Sequence, residues 1–465
     1  MNRRSVAALF LAVAAPALGQ VRALGPLTPP PGPVSDTGPS LQDVEPRVIV
    51  NAANTPGNSF AEFVISAPGS YYLDRDLDLP GTKTAIFISA SDVTLDLNGF
   101  TITAAAQTAL INGIGVSADP NQNNVRVRNG ALRGFGENGV ALGQRSIVEN
   151  VRVIDTGLNG ILTGRLSVVT DCSVEGGGIA GSGGTGTTAG ITVGDDSAVR
   201  NSVVFDHRGD GVEMNSRCTA TGVAVNNTGR FGIIAGPIAV IESCRVQNVG
   251  SDGIFGQDGS VITNCSVRDA GGIGIFGGNS SRVAGSVVNR TLNGAAIQIG
   301  SEATVENCTA AAAGSAGIIA NSGSVVRDCL VNFAQADGVF AEDGASVIGC
   351  QIRNSGANGI TGIRRNRITG NTIDGFTRFG VSIDEDSLID SNVISGSLTV
   401  SSIAAIEIGA GFSRVTRNEI SLAGSTGVPE GDTGSYIVGD LTQGIGSVFF
   451  GPSNDTTSPW TNVID

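Results

Sequence analysis

Short apolar runs, mostly two or three residues long, alternate with Gly, Asn and Asp along most of this chain. Ser260-Val261-Ile262 and Ser324-Val325-Val326 are typical. Val and Ile in such runs favour strands, and Gly, Asn and Asp favour the turns between them. The runs recur with one period. A Gly or Ala followed by Ile or Val stands at 139, 160, 190, 211, 232, 253, 274, 296, 317, 338, 359, 380, 405 and 427. Most gaps are 21 or 22 residues; the exceptions are 30 after Gly160 and 25 after Gly380. A second column follows, usually 12 residues later: Val151, Cys172, Ser202, Gly222, Cys244, Cys265, Ser286, Cys308, Cys329, Cys350, Asn371, Asn392 and Asn418.

Strands this short and this rich in Gly do not build helical repeats. The Leu-x-x-Leu-x-Leu ladder of leucine-rich repeats is absent. The remaining solution is a coil of three short strands stacked on its neighbours by parallel pairing, about 4.8 Å per coil. The expected fold is therefore all-β: a single-stranded parallel β-helix of about 14 coils, roughly 65–70 Å long, with a cap at each end. Ile and Val after the column Gly should point inward. The Gly itself, often preceded by Asn or Asp, should occupy a left-handed turn position. The Cys, Ser, Gly or Asn column should fill a tight interior corner.

Both ends depart from the repeat. Asn2-Arg3-Arg4, the apolar run over 6–18 and Ala17-Leu18-Gly19 have the form of a signal peptide, residues 1–19, which predicts a secreted or cell-surface protein. No later run is long enough to span a membrane. Residues 20–46 hold 7 of the 16 prolines and predict an extended linker. Residues 47–428 are then the coil domain with its N-terminal cap, and 429–465, with Trp460, a C-terminal cap or tail.

The chain resembles secreted proteins with the pectate-lyase-like right-handed β-helix. The resemblance rests on Ile65-Ser-Ala-Pro-Gly-Ser-Tyr-Tyr-Leu73, on Asp92-Val-Thr-Leu-Asp-Leu-Asn-Gly-Phe-Thr-Ile102, and on the Asn-Gly-Ile coils that follow. It covers about residues 60–428. It implies a right-handed rod that binds or processes polysaccharide, as a lyase, epimerase or hydrolase. No neighbouring Asp pair with a downstream Gly-His-Gly is present. The lyase pattern would need an Arg base near Ca²⁺-binding Asp residues, and Arg208 or Arg230 would serve.

The net charge is −14, and every basic residue except Lys83 is Arg. This balance argues against nucleic acid, whose binding rests on neutralising phosphates. The seven cysteines contain no Cys-x-x-Cys, and the ladder geometry suits disulfides poorly. They read as small buried thiols.

Candidate chemistry gathers in one coil, Asp206-His207-Arg208-Gly209-Asp210-Gly211-Val212-Glu213. Arg230 falls nearly one coil on, and Asp252 two coils on. As a patch, Asp210, His207, Arg208, Arg230 and Glu213 would supply a base and charge stabilisers, and Asp206 and Asp252 would bind substrate. Asp210, Glu213 and Asp252 would also be candidate Ca²⁺ ligands. The Gly-rich insertion at 176–189 leaves the same corner, and a smaller one at 395–402 leaves the same edge. An apolar stripe, Ile234, Phe255, Phe276, Ile319 and Phe340, should face outward. Phe255 and Phe276 would stack on sugar rings, or the stripe would be buried under the tail or in a homo-oligomer seam, the preferred outcome. Two functions remain open: polysaccharide binding or processing, and a non-catalytic structural or adhesive rod.

Overall fold

The computed structural model describes residues 47–80, 82–104, 114–178, 188–397, 404–409, 413–423, 437–439 and 463–464. The expected signal peptide and linker lie outside them, as do most of the C-terminal segment with Trp460 and the central parts of both insertions.

Among the described residues there are strands and turns but no helix. A coil has three strands; one coil uses Ile254–Gly256, Val261–Thr263 and Ser266–Ala270. Each pairs in parallel with its counterpart one coil on: Ile254 with Ile275, Ile262 with Val283, Val267 with Val288. The expected parallel solenoid is thus the fold. It has about 16 turns rather than 14. The stack extends beyond the Gly-Ile column, since Val48 already pairs with Tyr71 and Val463 with Glu419.

Each strand sends one Val or Ile inward. Ile254, Ile262 and Val267 are completely buried, and so are their counterparts Ile275, Val283 and Val288. Each buried side chain of this kind stabilises by about 1.5–3 kcal/mol. Each corner of the coil places one residue in the left-handed region. After the second strand it is Asn150, Asp171, Asn201, Asn264 or Asp328, with Gly222, Gly285, Gly349 and Gly370 in the same column. At the end of the third strand it is Asp155, Asp206, Asn227, Asn248 or Asn354. Asn and Asp adopt this conformation at low cost, which accounts for their frequency. At the remaining corner the chain tolerates Leu166 and even the β-branched Ile238, at φ 61° and 62% exposed.

Two expectations need correction. Gly222 is a left-handed corner residue, and Val223 takes the buried place after it. More generally, the column Gly residues are not left-handed. A Cβ at Gly253 would run into a Val267 methyl and the Gly274 carbonyl, and Gly232 meets Val246 and Gly253 in the same way. Close approach of two sheets, not turn geometry, demands glycine. Of the two places where Ala replaces Gly, Ala296 has Ala310 in the column opposite, whereas at Ala405 that column keeps Ile420.

The Cys, Ser and Asn column is buried as expected. Asn371 donates from Nδ2 to Asn392 Oδ1 at 2.9 Å, and Asn392 does the same to Asn418 at 2.9 Å. Cys265 donates its thiol to the Thr263 carbonyl at 3.2 Å. All seven cysteines are free and buried. Cys218, outside the first column, belongs to a second small-residue ladder with Ser197, Ala239, Ser260 and Ser281. Burial pushes the Cys172 thiol up to about 12.

Gly253→Ala should lower stability by about 1–3 kcal/mol in chemical denaturation. Val267→Ala should cost less in that background than in the wild type, and strict additivity would refute the close-approach account. A thiol-specific reagent should label no cysteine until the coil unfolds.

Candidate functional site

The expected site spans the third corner of one coil, from the strand Val203–His207 to the strand Asp210–Met214. His207 is only 1% exposed. Its Nδ1 accepts the Gly209 N–H at 3.1 Å, so Nε2 carries the proton and faces the Leu158 carbonyl at 3.3 Å. Burial depresses its pKa to about 4, against upward contributions from the backbone of Leu158 and Asp210. The imidazole is neutral and both nitrogens are engaged. It braces the coil against the one carrying Leu158 rather than facing solvent as a base.

Asp210 is also 1% exposed. Its Oδ1 accepts the Phe231 N–H at 3.0 Å, and Arg230 Nε lies 3.7 Å from it. Asp252 repeats the arrangement, accepting the Ile273 N–H at 2.7 Å. Burial raises the pKa of both carboxyls. Asn138 and Asp337 make the same bond to Asn159 and Asn358, at 3.1 and 3.0 Å. The Asn or Asp before the column Gly therefore satisfies a backbone donor of the next coil. Asp206 is exposed at a left-handed corner and accepts Asn227 Nδ2 at 2.6 Å. Arg208 is exposed, and Glu213 is half-buried on the outer face as expected.

Among the described residues, no three His, Cys, Asp or Glu side chains are grouped so as to hold a metal ion. Of the expected calcium ligands, Asp210 and Asp252 each accept a backbone N–H of the next coil, and Glu213 stands on the outer face.

The stripe is the feature that the structure brings together. Glu213, Ile234, Phe255, Phe276, Gln298, Ile319 and Phe340 stand in register on the outer face of the first strands. All are half-buried. Phe255 and Phe276 are stacked, centroids 4.6 Å apart and planes 11° from parallel. Phe231 meets Phe255 edge-on at 5.9 Å, and the Arg230 guanidinium lies 5.6 Å from the Phe231 ring. Phe231 escapes sequence reasoning because it occupies a place usually held by Asn or Asp. The same face continues N-terminally into an open groove of about 550 Å³ lined by Phe87, Ala141, Leu142, Leu162 and Arg165. Only the outward, every-second-residue position of Phe87 and Leu162 hinted at it.

Residues 221–367 match the family model for the right handed beta helix region. The parallel solenoid of the described residues is consistent with that match, which covers about a third of the chain. No curated protein matches the β-helix chain. It is similar in structure to the A-module of an Azotobacter vinelandii mannuronan C-5 epimerase, with 14% identity, 77% of this chain and 90% of that chain covered and a TM-score of 0.37. A tailspike protein of E. coli bacteriophage HK620 in complex with pentasaccharide gives 14% identity, 80% and 71% coverage and a TM-score of 0.40. A GH87 alpha-1,3-glucanase from Streptomyces thermodiastaticus gives 12%, 82% and 63% coverage, and 0.27.

The His207 brace has a pH signature. The unfolded chain takes up a proton near the ordinary histidine value of 6.5, the folded one only near 4. Stability is full above pH 6.5 and falls by about 3 kcal/mol as pH drops from there towards 4. Melting temperature against pH should be flatter in that window for His207→Gln than for the wild type; equal slopes would mean that the imidazole titrates freely.

Proposed function

We propose that this protein is an extracellular glycan-binding rod whose binding surface is the outer face of the first strands. The supporting observation is the ladder Ile234, Phe255, Phe276, Gln298, Ile319 and Phe340, with Phe231 joined to it. Stacking hides one face of Phe255 and of Phe276, and the half-buried side chains of the ladder leave an apolar ridge along the face. Sugar rings present apolar C–H faces and polar edges, so a ridge flanked by turn amides and carboxylates suits them. The ridge runs along the axis, which favours an extended chain over a compact ligand.

Binding is supported better than turnover. A lyase or epimerase needs an accessible base beside its charge stabiliser. Here His207 is neutral and doubly bonded, and Asp210 caps a backbone donor. The resemblance to polysaccharide lyases therefore extends to shape and not to an assembled acid–base set.

Affinity electrophoresis against a polysaccharide panel tests the reading. At least one polymer should retard the protein, Phe255→Ala should weaken retardation about tenfold, and no reducing ends should appear. Absence of retardation by every polymer would overturn the proposal. So would a stable oligomer in sedimentation that Phe255→Asp dissociates, because the ridge would then be a seam.

A further inference from the structure

We infer that the ridge is a track for a glycan of amino sugars, gripped by apolar contact along its crest and by carboxylates along its flank. This rests on the glycan-binding reading above and names the class of chain the face takes.

The charges on this face are one-sided. Between Arg230 and Arg364, the first strands and the turns beside them carry Asp252, Asp258, Glu302, Asp337, Glu342 and Asp343, and neither Lys nor Arg. The arginines of the same coils lie on the other two faces, and several are paired there. Arg282 and Arg327 clasp Glu306, and Arg290 pairs with Asp269. On the ridge face only Asp343 is offset, by Arg364 at 2.6 Å and Arg365 at 3.5 Å. Asp258 and Glu302 are exposed; one oxygen of Asp258 accepts the Asn279 N–H at 2.8 Å.

The spacing matters as much as the sign. Asp258 flanks the coil of Phe255, Glu302 that of Gln298 and Glu342 that of Phe340. Asn279 and Ser322 share the column of Asp258, which continues through Ser301 to Asp343, while Glu302 stands one residue after that column and Glu342 one before it. Along the axis carboxylates therefore recur on alternate coils, about 9–10 Å apart, spread over three adjacent columns. In an extended chain of equatorially linked pyranoses, each ring advances by nearly one coil, and successive rings are flipped. A given substituent returns to the same side every second ring. An ammonium group on the sugar would return to this acidic flank every second ring. A uronate chain would set carboxylate against carboxylate along the whole track, on a protein already carrying −14.

Titration calorimetry at mildly acidic pH, at low and high salt, would compare an oligoglucosamine, an uncharged β-glucan oligomer and an oligogalacturonate. The oligoglucosamine should bind tightest and weaken as salt rises. In the double variant Asp258→Asn, Glu302→Gln, the ratio of oligoglucosamine to glucan affinity should fall, by up to about fivefold per carboxylate. Circular dichroism would verify that the variant is folded. Equal or tighter binding of oligogalacturonate, or an unchanged ratio in the variant, overturns the amino-sugar assignment while leaving glycan binding intact. Binding of none of the three to the wild type counts against the amino-sugar assignment, and failure across the wider panel removes the glycan reading itself.

Discussion

Parallel hydrogen bonding between coils is the constraint from which the rest follows. Each backbone group pairs with its counterpart one coil away, as in the Ile254, Ile262 and Val267 columns. Every side chain is thereby stacked on the one about 21 residues on. Apolar columns gain from this, since Ile on Ile packs without voids. Charged columns would lose by it, and the chain avoids that loss by alternating sign. Arg217 meets Asp196, Arg364 meets Asp343 and Arg417 meets Asp390, each across one coil step. Polar columns become hydrogen-bonded ladders, of which the Asn371, Asn392, Asn418 run is the fullest.

Periodicity made the fold legible in the sequence, because one register error would show in every column at once. The inward Ile and Val, the buried thiols and the outward Phe stripe all follow from the 21-residue period and strand alternation. What the period could not reveal was the reason for each column. The Gly of Asn-Gly and Asp-Gly looks like a turn residue, yet it is required by Val267 or Val246 across the interior, a contact between residues 14 apart on different sheets. The left-handed corners lie elsewhere, on Asn150, Asp171 and Asn264.

The candidate site was legible in part. The stripe was foreseen, and Phe231 was not. The coil 206–213 stood out for its charge, but charge in a sequence does not say whether a side chain faces water or backbone. Asp210 and Asp252 face backbone donors, and His207 lies beneath the Gly177–Gly178 segment. A histidine that is the only one in the chain draws notice for its rarity, and here its use is architectural.

The third corner has a consequence for how such a rod changes. From Gly139 to Asn418, every addition of more than one residue enters the chain between a third strand and the next first strand, at 176–189 and 395–402. Whole coils can be gained or lost without disturbing any ladder. In that stretch extra residues are admitted at one edge, next to the face carrying the ridge. Rod length and the residues added at that edge can therefore drift independently through descent, while the interior stays the same.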